Sequence, residues 1–102
     1  MVAIERVYDQ IRDIASGENA ARVTLFGSRA RGDNHAKSDI DVAVEGCSSF
    51  DRLEDRLQNE LWSLLSIDVI NLDTCTSEDL RAEIKRDGKV LYEKIYLSDL
   101  PG

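Results

Sequence analysis

Histidine, cysteine and basic charge are all scarce in this chain, and each scarcity removes a class of function. The single histidine, His35, sits in a polar loop with nothing nearby to complete a nucleophilic triad or a histidine-rich metal site. The two cysteines, Cys47 and Cys75, lack Cys-x-x-Cys spacing and companion histidines, so neither a zinc site nor a disulfide framework is indicated. Free thiols in a reducing cytoplasm are the default, and cytoplasmic location is the expectation. Lys and Arg number 13 against 20 Asp and Glu, giving a net charge of −7 and a pI near 4.6. An extended nucleic-acid surface is therefore not expected, because phosphate neutralisation needs clustered Lys and Arg. Long apolar runs are also missing. None approaches the roughly 20 residues needed to span a bilayer, and Glu5, Arg6 and Asp9 interrupt any signal-like stretch near the start.

What remains, 102 residues with 42% hydrophobic and 32% charged, supports one modest core and one domain over residues 1–102. Ile4, Val7, Tyr8, Ile11, Ile14 and Ala15 recur at helical spacing, which predicts a helix over about residues 2–16 with Gly17 as its C′ residue. "ARVTLF" (21–26) and "SDIDVAVEG" (38–46) have strand composition, and residues 28–32 can form one helical turn between them. Ser48 with Asp51 resembles a capping box, followed by Phe50, Leu53, Leu57, Leu61, Leu64 and Leu65 on one helical face. A third strand is expected over Ser66–Leu72, a short helix from Thr76 and Asp79 to about Arg86, a stop at Gly88, and a last strand at "KVLYE". Alternating helices and strands predict an α/β (α+β) layer fold with a sheet of three to four strands.

Two acids interrupt the second strand. Strand alternation places Asp39, Asp41 and Ala43 on one face and Ile40, Val42 and Val44 on the other. Carboxylates about 6.6 Å apart along one strand can converge on the same cation. Their mutual repulsion calls for positive compensation, and Mg²⁺ shared between a few carboxylates, water and substrate phosphates suits it. An Asp-x-Asp pair arises readily by chance in so acidic a chain. Its weight comes from its place among Ile and Val on a core strand, where acids are unfavourable. Asp68, between Ile67 and Val69, repeats the anomaly on the next strand; read blandly, it is an edge acid facing water.

"FGSRARG" supplies a phosphate-binding counterpart: Gly27 permits close backbone approach, Ser28 brings a hydroxyl, and Arg29 and Arg31 bring charge. Arg29 is the candidate phosphate contact, the alternative being an arginine pair that balances Asp33. Lys37 and Ser38 either touch the nucleotide or are loop surface. Gly27 and Gly32 have P-loop spacing, but Asp33 and Asn34 stand where Lys and Ser or Thr are required, so this is no Walker A loop.

Strand, Gly27-Ser28, some ten residues, Asp39-x-Asp41 among apolar residues, then Asp68 on the next strand: the combination resembles the DNA polymerase β type nucleotidyltransferases over roughly residues 4–93. It is most similar to the minimal nucleotidyltransferase (MNT) domains that accompany HEPN-domain partners. The resemblance implies a mixed sheet flanked by helices, and transfer of a nucleoside monophosphate from a nucleoside triphosphate to an acceptor hydroxyl. It also implies that Gly27 and Ser28 bind the nucleotide, with Arg29 a candidate phosphate contact that is not one of the motif's defining residues, that Asp39, Asp41 and Asp68 hold two Mg²⁺ ions, and that ATP is the donor. In HEPN–MNT toxin–antitoxin pairs the transferred group is AMP and the acceptor is a tyrosine of the HEPN toxin, so an antitoxin role as part of a hetero-oligomer is implied. A chain this short leaves the site open on one side, with specificity supplied by an acceptor macromolecule or second subunit. The tail around Ile95, Tyr96 and Leu97 is the candidate docking surface, the alternative being a strand that finishes the sheet or a helix packed at home, and Trp62, off its helix stripe, is core edge in preference to a partner contact. Two other readings stand beside this one: a binding module that neutralises a HEPN partner by occlusion, and a small-molecule nucleotidyltransferase.

Overall fold

In the computed structural model the described residues are 3–35, 37–61 and 65–94. They form α1 (Ile4–Gly17), β1 (Arg22–Phe26), α2 (Ser28–Arg31), β2 (Ile40–Glu45), α3 (Phe50–Glu60), β3 (Ile67–Asn71), α4 (Glu78–Asp87) and β4 (Lys89–Glu93). The four strands make one mixed sheet in the order β3-β2-β1-β4. β1 runs antiparallel to both β2 and β4, while β2 and β3 run parallel. The parallel pair requires a crossover, which α3 provides.

Alternation along the strands divides the sheet into two packed faces. Val23, Leu25, Ile40, Val42, Val44 and Ile67 meet Val7, Ile11 and Ile14 of α1 and Leu53 and Leu57 of α3 in the larger core. Phe26 and Ala43 on the other face meet Ile84 of α4 and Leu72, with Ile70 and Leu80 at the margin. Leu53 is wholly buried, so Leu53→Ala is expected to cost about 3 kcal/mol, read as a lowered urea midpoint with unchanged m-value.

Helix ends depart from the sequence expectation in informative ways. Gly17 is the last residue of α1, Glu18 is its C-cap, and Asn19 takes the left-handed conformation at φ 62°. The amides of Asn19 and Ala20 donate to Ser16 O and Ala15 O, a Schellman closure built on Asn. The expected Ser48–Asp51 capping box does not form; Ser49 is the N-cap of α3 and its side chain makes no capping bond. In α4 the cap is Ser77, one residue after the expected Thr76, with Oγ accepting from Leu80 N at 3.3 Å. α3 stops at Glu60 because Leu61 is already extended at φ −70°, ψ 139°. Leu61 and Leu65 pack at the core margin from outside that helix. Trp62, Leu64 and the tail residues Ile95, Tyr96, Leu97 and Leu100 lie outside the described residues.

Glu18 is the one buried acid among the described residues. Its carboxylate meets Arg56 of α3 at 3.1 Å and Arg52 at 3.9 Å, and its carbonyl faces the Cys47 thiol at 3.5 Å. The end of α1 is thereby fixed to α3, beneath the face that carries no site.

Side chains also close the rims of the sheet. The β1–β4 register shifts between Val23 and Thr24, leaving Leu91 as a bulge, and Arg12 Nε donates to the Leu91 carbonyl at 2.7 Å. At the opposite rim Gln58 Nε2 donates to Ile67 O at 2.9 Å.

Candidate active site

Asp41 is the second residue of β2 and Asp68 the second residue of β3, and parallel register makes them direct partners. Asp41 is also the antiparallel partner of Phe26, the last residue of β1. Phe26, Asp41 and Asp68 thus form one lateral row on the face that α4 covers only in part. Phe26 is buried, Asp41 half-buried and Asp68 exposed, so the row runs from core to solvent.

The charge balance of this row is strongly negative. The Asp41 carboxyl is pushed up to about 6, first by its partial burial, then by its hydrogen bond and charge contact with Asp68, and then by Asp39 and Glu83. Asp39 lies just before β2, exposed, and acts on Asp41 by charge. The structure therefore brings together all three acids singled out by the sequence, with Asp41 central.

β1 delivers the Gly27–Ser28 turn to the same place. Gly27 has φ 75° and ψ −156°, a conformation open to glycine alone, and a Cβ there would overlap Asp41 Oδ2. The Gly27 backbone is pressed directly against the Asp41 carboxylate. Its carbonyl accepts from Ala30 N and Arg31 N, starting α2, whose first residue Ser28 is half-buried. α2 spans four residues, a single turn, too short for a substantial helix dipole. Close backbone approach and the Ser28 hydroxyl are what this turn offers a phosphate.

The two arginines differ in what they do. Arg29 Nε donates to the Ser38 carbonyl at 3.0 Å, spanning from α2 to the residue before Asp39. Arg31 faces outward, with Nε 3.2 Å from Asp33 Oδ2 and a guanidinium nitrogen 3.9 Å from Glu83 Oε2. Lys37 and His35 are exposed, and the His35 Nδ1 atom accepts from Lys37 N at 3.3 Å.

Glu83 of α4 was not legible as a site residue. Its signal is its place beside the inward-facing Ile84 on the helix that roofs this face, which only the fold reveals.

Among the described residues no three His, Cys, Asp or Glu side chains are drawn into a ready-made ion cage. The donor set fits Mg²⁺ nonetheless: it is all oxygen, carries excess negative charge, and raises the proton affinity of Asp41, a strain that a bound cation would relieve. Mg²⁺ commonly completes its shell with water and substrate phosphates rather than with protein alone.

A four-stranded mixed sheet with carboxylates on adjacent parallel strands and a Gly-Ser turn against one of them defines a small α/β domain of nucleotidyltransferase type. The chain belongs to the polymerase beta nucleotidyltransferase family, whose model matches residues 9–96. Among solved structures it is similar to a toxin-antitoxin with AMP-PNP, at 24% identity and TM-score 0.68, over 85% of this chain and 73% of the other. The toxin-antitoxin MntA-HpeT carrying two aspartate-to-glutamate substitutions aligns at 22% identity and TM-score 0.67 over the same shares. A candidate nucleotidyltransferase from Sulfolobus solfataricus is 26% identical with TM-score 0.54, over 87% of this chain and 79% of that one. No curated protein matches the chain significantly. The polymerase β type nucleotidyltransferase fold that the resemblance implies, a mixed sheet flanked by helices, is the fold observed.

Proposed function

We propose that this chain is a metal-dependent nucleotidyltransferase that moves AMP from ATP to a hydroxyl of a partner protein, as the antitoxin of a HEPN–MNT pair. One observation carries the reading: Asp41 and Asp68 are register partners on parallel strands, and the Gly27 backbone lies against Asp41. The phosphate-binding and acid halves of the site are thus a single contact surface. The solved relatives add support, since one is a toxin-antitoxin with AMP-PNP and another was substituted at two aspartates.

In this mechanism Gly27 and Ser28 seat the triphosphate, with the Gly27 backbone allowing the approach that any side chain would block. Asp39, Asp41 and Asp68 would hold two Mg²⁺ ions, which when bound neutralise charge on the attacking and leaving oxygens. The acceptor oxygen forms a bond to the α-phosphorus as the bond to pyrophosphate breaks, and pyrophosphate leaves. Asp68, exposed at the solvent end of the row, would take the hydroxyl proton. The open side of the row admits a macromolecular acceptor.

The test uses the protein with its partner, MgCl₂ and ATP labelled at the α-phosphate. Label is expected in the partner, and none when the label is on the γ-phosphate. Protection of the partner without any label points to occlusion, and label in a small metabolite alone points to a small-molecule transferase; either outcome replaces this reading. Absence of transfer together with absence of ATP and Mg²⁺ binding removes it altogether.

A further inference from the structure

Asp39 stands between two backbone anchors. On its C-terminal side Ile40 N donates to Ser66 O at 2.9 Å, fixing the chain to the start of β3. On its N-terminal side the Ser38 carbonyl accepts from Arg29 Nε at 3.0 Å, in a partly buried bond that fixes the chain to α2. Ser38 is held further by its own loop: its Oγ accepts from His35 N at 3.0 Å, and its amide donates to His35 O at 3.0 Å. Every polar group of Ser38 is therefore engaged, and Arg29 is the link from it to the turn that begins at Gly27.

That geometry separates two roles an arginine can have here. A phosphate contact presents its guanidinium to solvent at the site. An arginine that gives its Nε–H to a main-chain carbonyl nine residues away orders the loop that carries that carbonyl. Arg29 sits on the one-turn helix whose preceding residue, Gly27, touches Asp41, so the loop it holds is referenced to the same turn.

We propose that Arg29 is a positioning residue that, through the Ser38 carbonyl, locks Asp39 in line with Asp41 and couples the Gly27–Ser28 turn to the acid row. The inference rests on the nucleotidyltransferase reading above and deepens it. It assigns Arg29 to the metal half of the site, acting at one remove. Groups of this kind, which orient metal-binding carboxylates without touching the ion, typically set metal affinity by a factor of 10 to 100.

The experiment measures Mn²⁺ binding by electron paramagnetic resonance on the isolated protein, and ATP binding by calorimetry in EDTA, for wild type, Arg29→Met and Ser38→Ala. Arg29→Met is expected to weaken Mn²⁺ binding about tenfold while leaving metal-free ATP affinity within about twofold. Ser38→Ala removes only the Oγ–His35 bond and is expected to weaken Mn²⁺ binding in the same direction by a smaller factor, with no change of charge. A fall in metal-free ATP affinity with Mn²⁺ binding intact would make Arg29 a phosphate contact and overturn the proposal. Unchanged values for both ligands would overturn it as well. Should circular dichroism show Arg29→Met unfolded, Ser38→Ala decides, since wild-type Mn²⁺ affinity in that variant contradicts a loop-ordering role. A wild-type protein that binds Mn²⁺ but transfers no nucleotide defeats the reaction proposed above, and the Mn²⁺ shift still decides the role of Arg29.

Discussion

Asp41→Asn is expected to raise the melting temperature at pH 7 while reducing nucleotide transfer by about a thousandfold. The two effects share one cause. In the folded chain the Asp41 carboxyl is pushed up to about 6 by burial and by Asp68, Asp39 and Glu83, whereas in the unfolded chain it titrates near the ordinary 3.8. Between those values the folded state holds more protons than the unfolded one, so stability is greatest below about pH 4 and declines as pH rises through about 6. Because the group is only half-buried and water screens its charges, the loss amounts to about 1 kcal/mol rather than the full value of the shift. Asparagine removes that pH dependence and its cost. Mg²⁺ is expected to restore stability above pH 6 in the wild type, by its binding to the folded state alone, and to do so much less in Asp41→Asn. Thermal melts from pH 4 to 8, with and without MgCl₂, check all of this. A variant that melts lower than wild type at pH 7 would contradict the electrostatic account.

Gly27→Ala is the second large effect, and its sign is opposite. Alanine must hold φ 75° and ψ −156°, at a strain of about 1–3 kcal/mol, and its Cβ must displace the Asp41 carboxylate. A drop in melting temperature of about 10 °C or more is expected, together with loss of ATP binding. The double variant Gly27→Ala, Asp41→Ala separates the contributions, because it removes the overlap and keeps the backbone strain. It should recover part of the lost stability and none of the activity. Stability equal to that of Asp41→Ala alone would mean that the backbone conformation carries no cost, and that glycine is needed at 27 only for space.

Much of this architecture could be read from local pattern. Ile40, Val42 and Val44 alternate with Asp41 and Ala43, and they do face opposite sides of the sheet. Strand period is a property of the backbone and survives any tertiary context, whereas the side taken by Asp68 follows from the parallel register with Asp41. Helix ends were less legible. The leucine spacing runs on to Leu65, but the chain must reverse to start β3, and Leu61 becomes extended to do so. Gly17 looked like the left-handed closing residue, yet Asn19 takes that position two residues later. Asparagine tolerates it through its short polar side chain. Glu83 and the Arg29–Ser38 bond lay beyond sequence reading for a different reason. Each depends on which elements become neighbours, and neither leaves a periodicity or a spacing. The Gly-Ser turn and the acids were visible as separate motifs, while their direct contact through Gly27 and Asp41 became visible only once β1 and β2 were paired.

The donors at the rims of the sheet bear on how this chain meets others. Arg12 occupies the carbonyl of the Leu91 bulge, and Gln58 occupies that of Ile67. A stray strand approaching either flank finds one main-chain acceptor already taken, which disfavours edge-to-edge pairing there. Both outer strands thus carry a side-chain cap on a main-chain acceptor, while the face that bears Asp41 and Asp68 stays open.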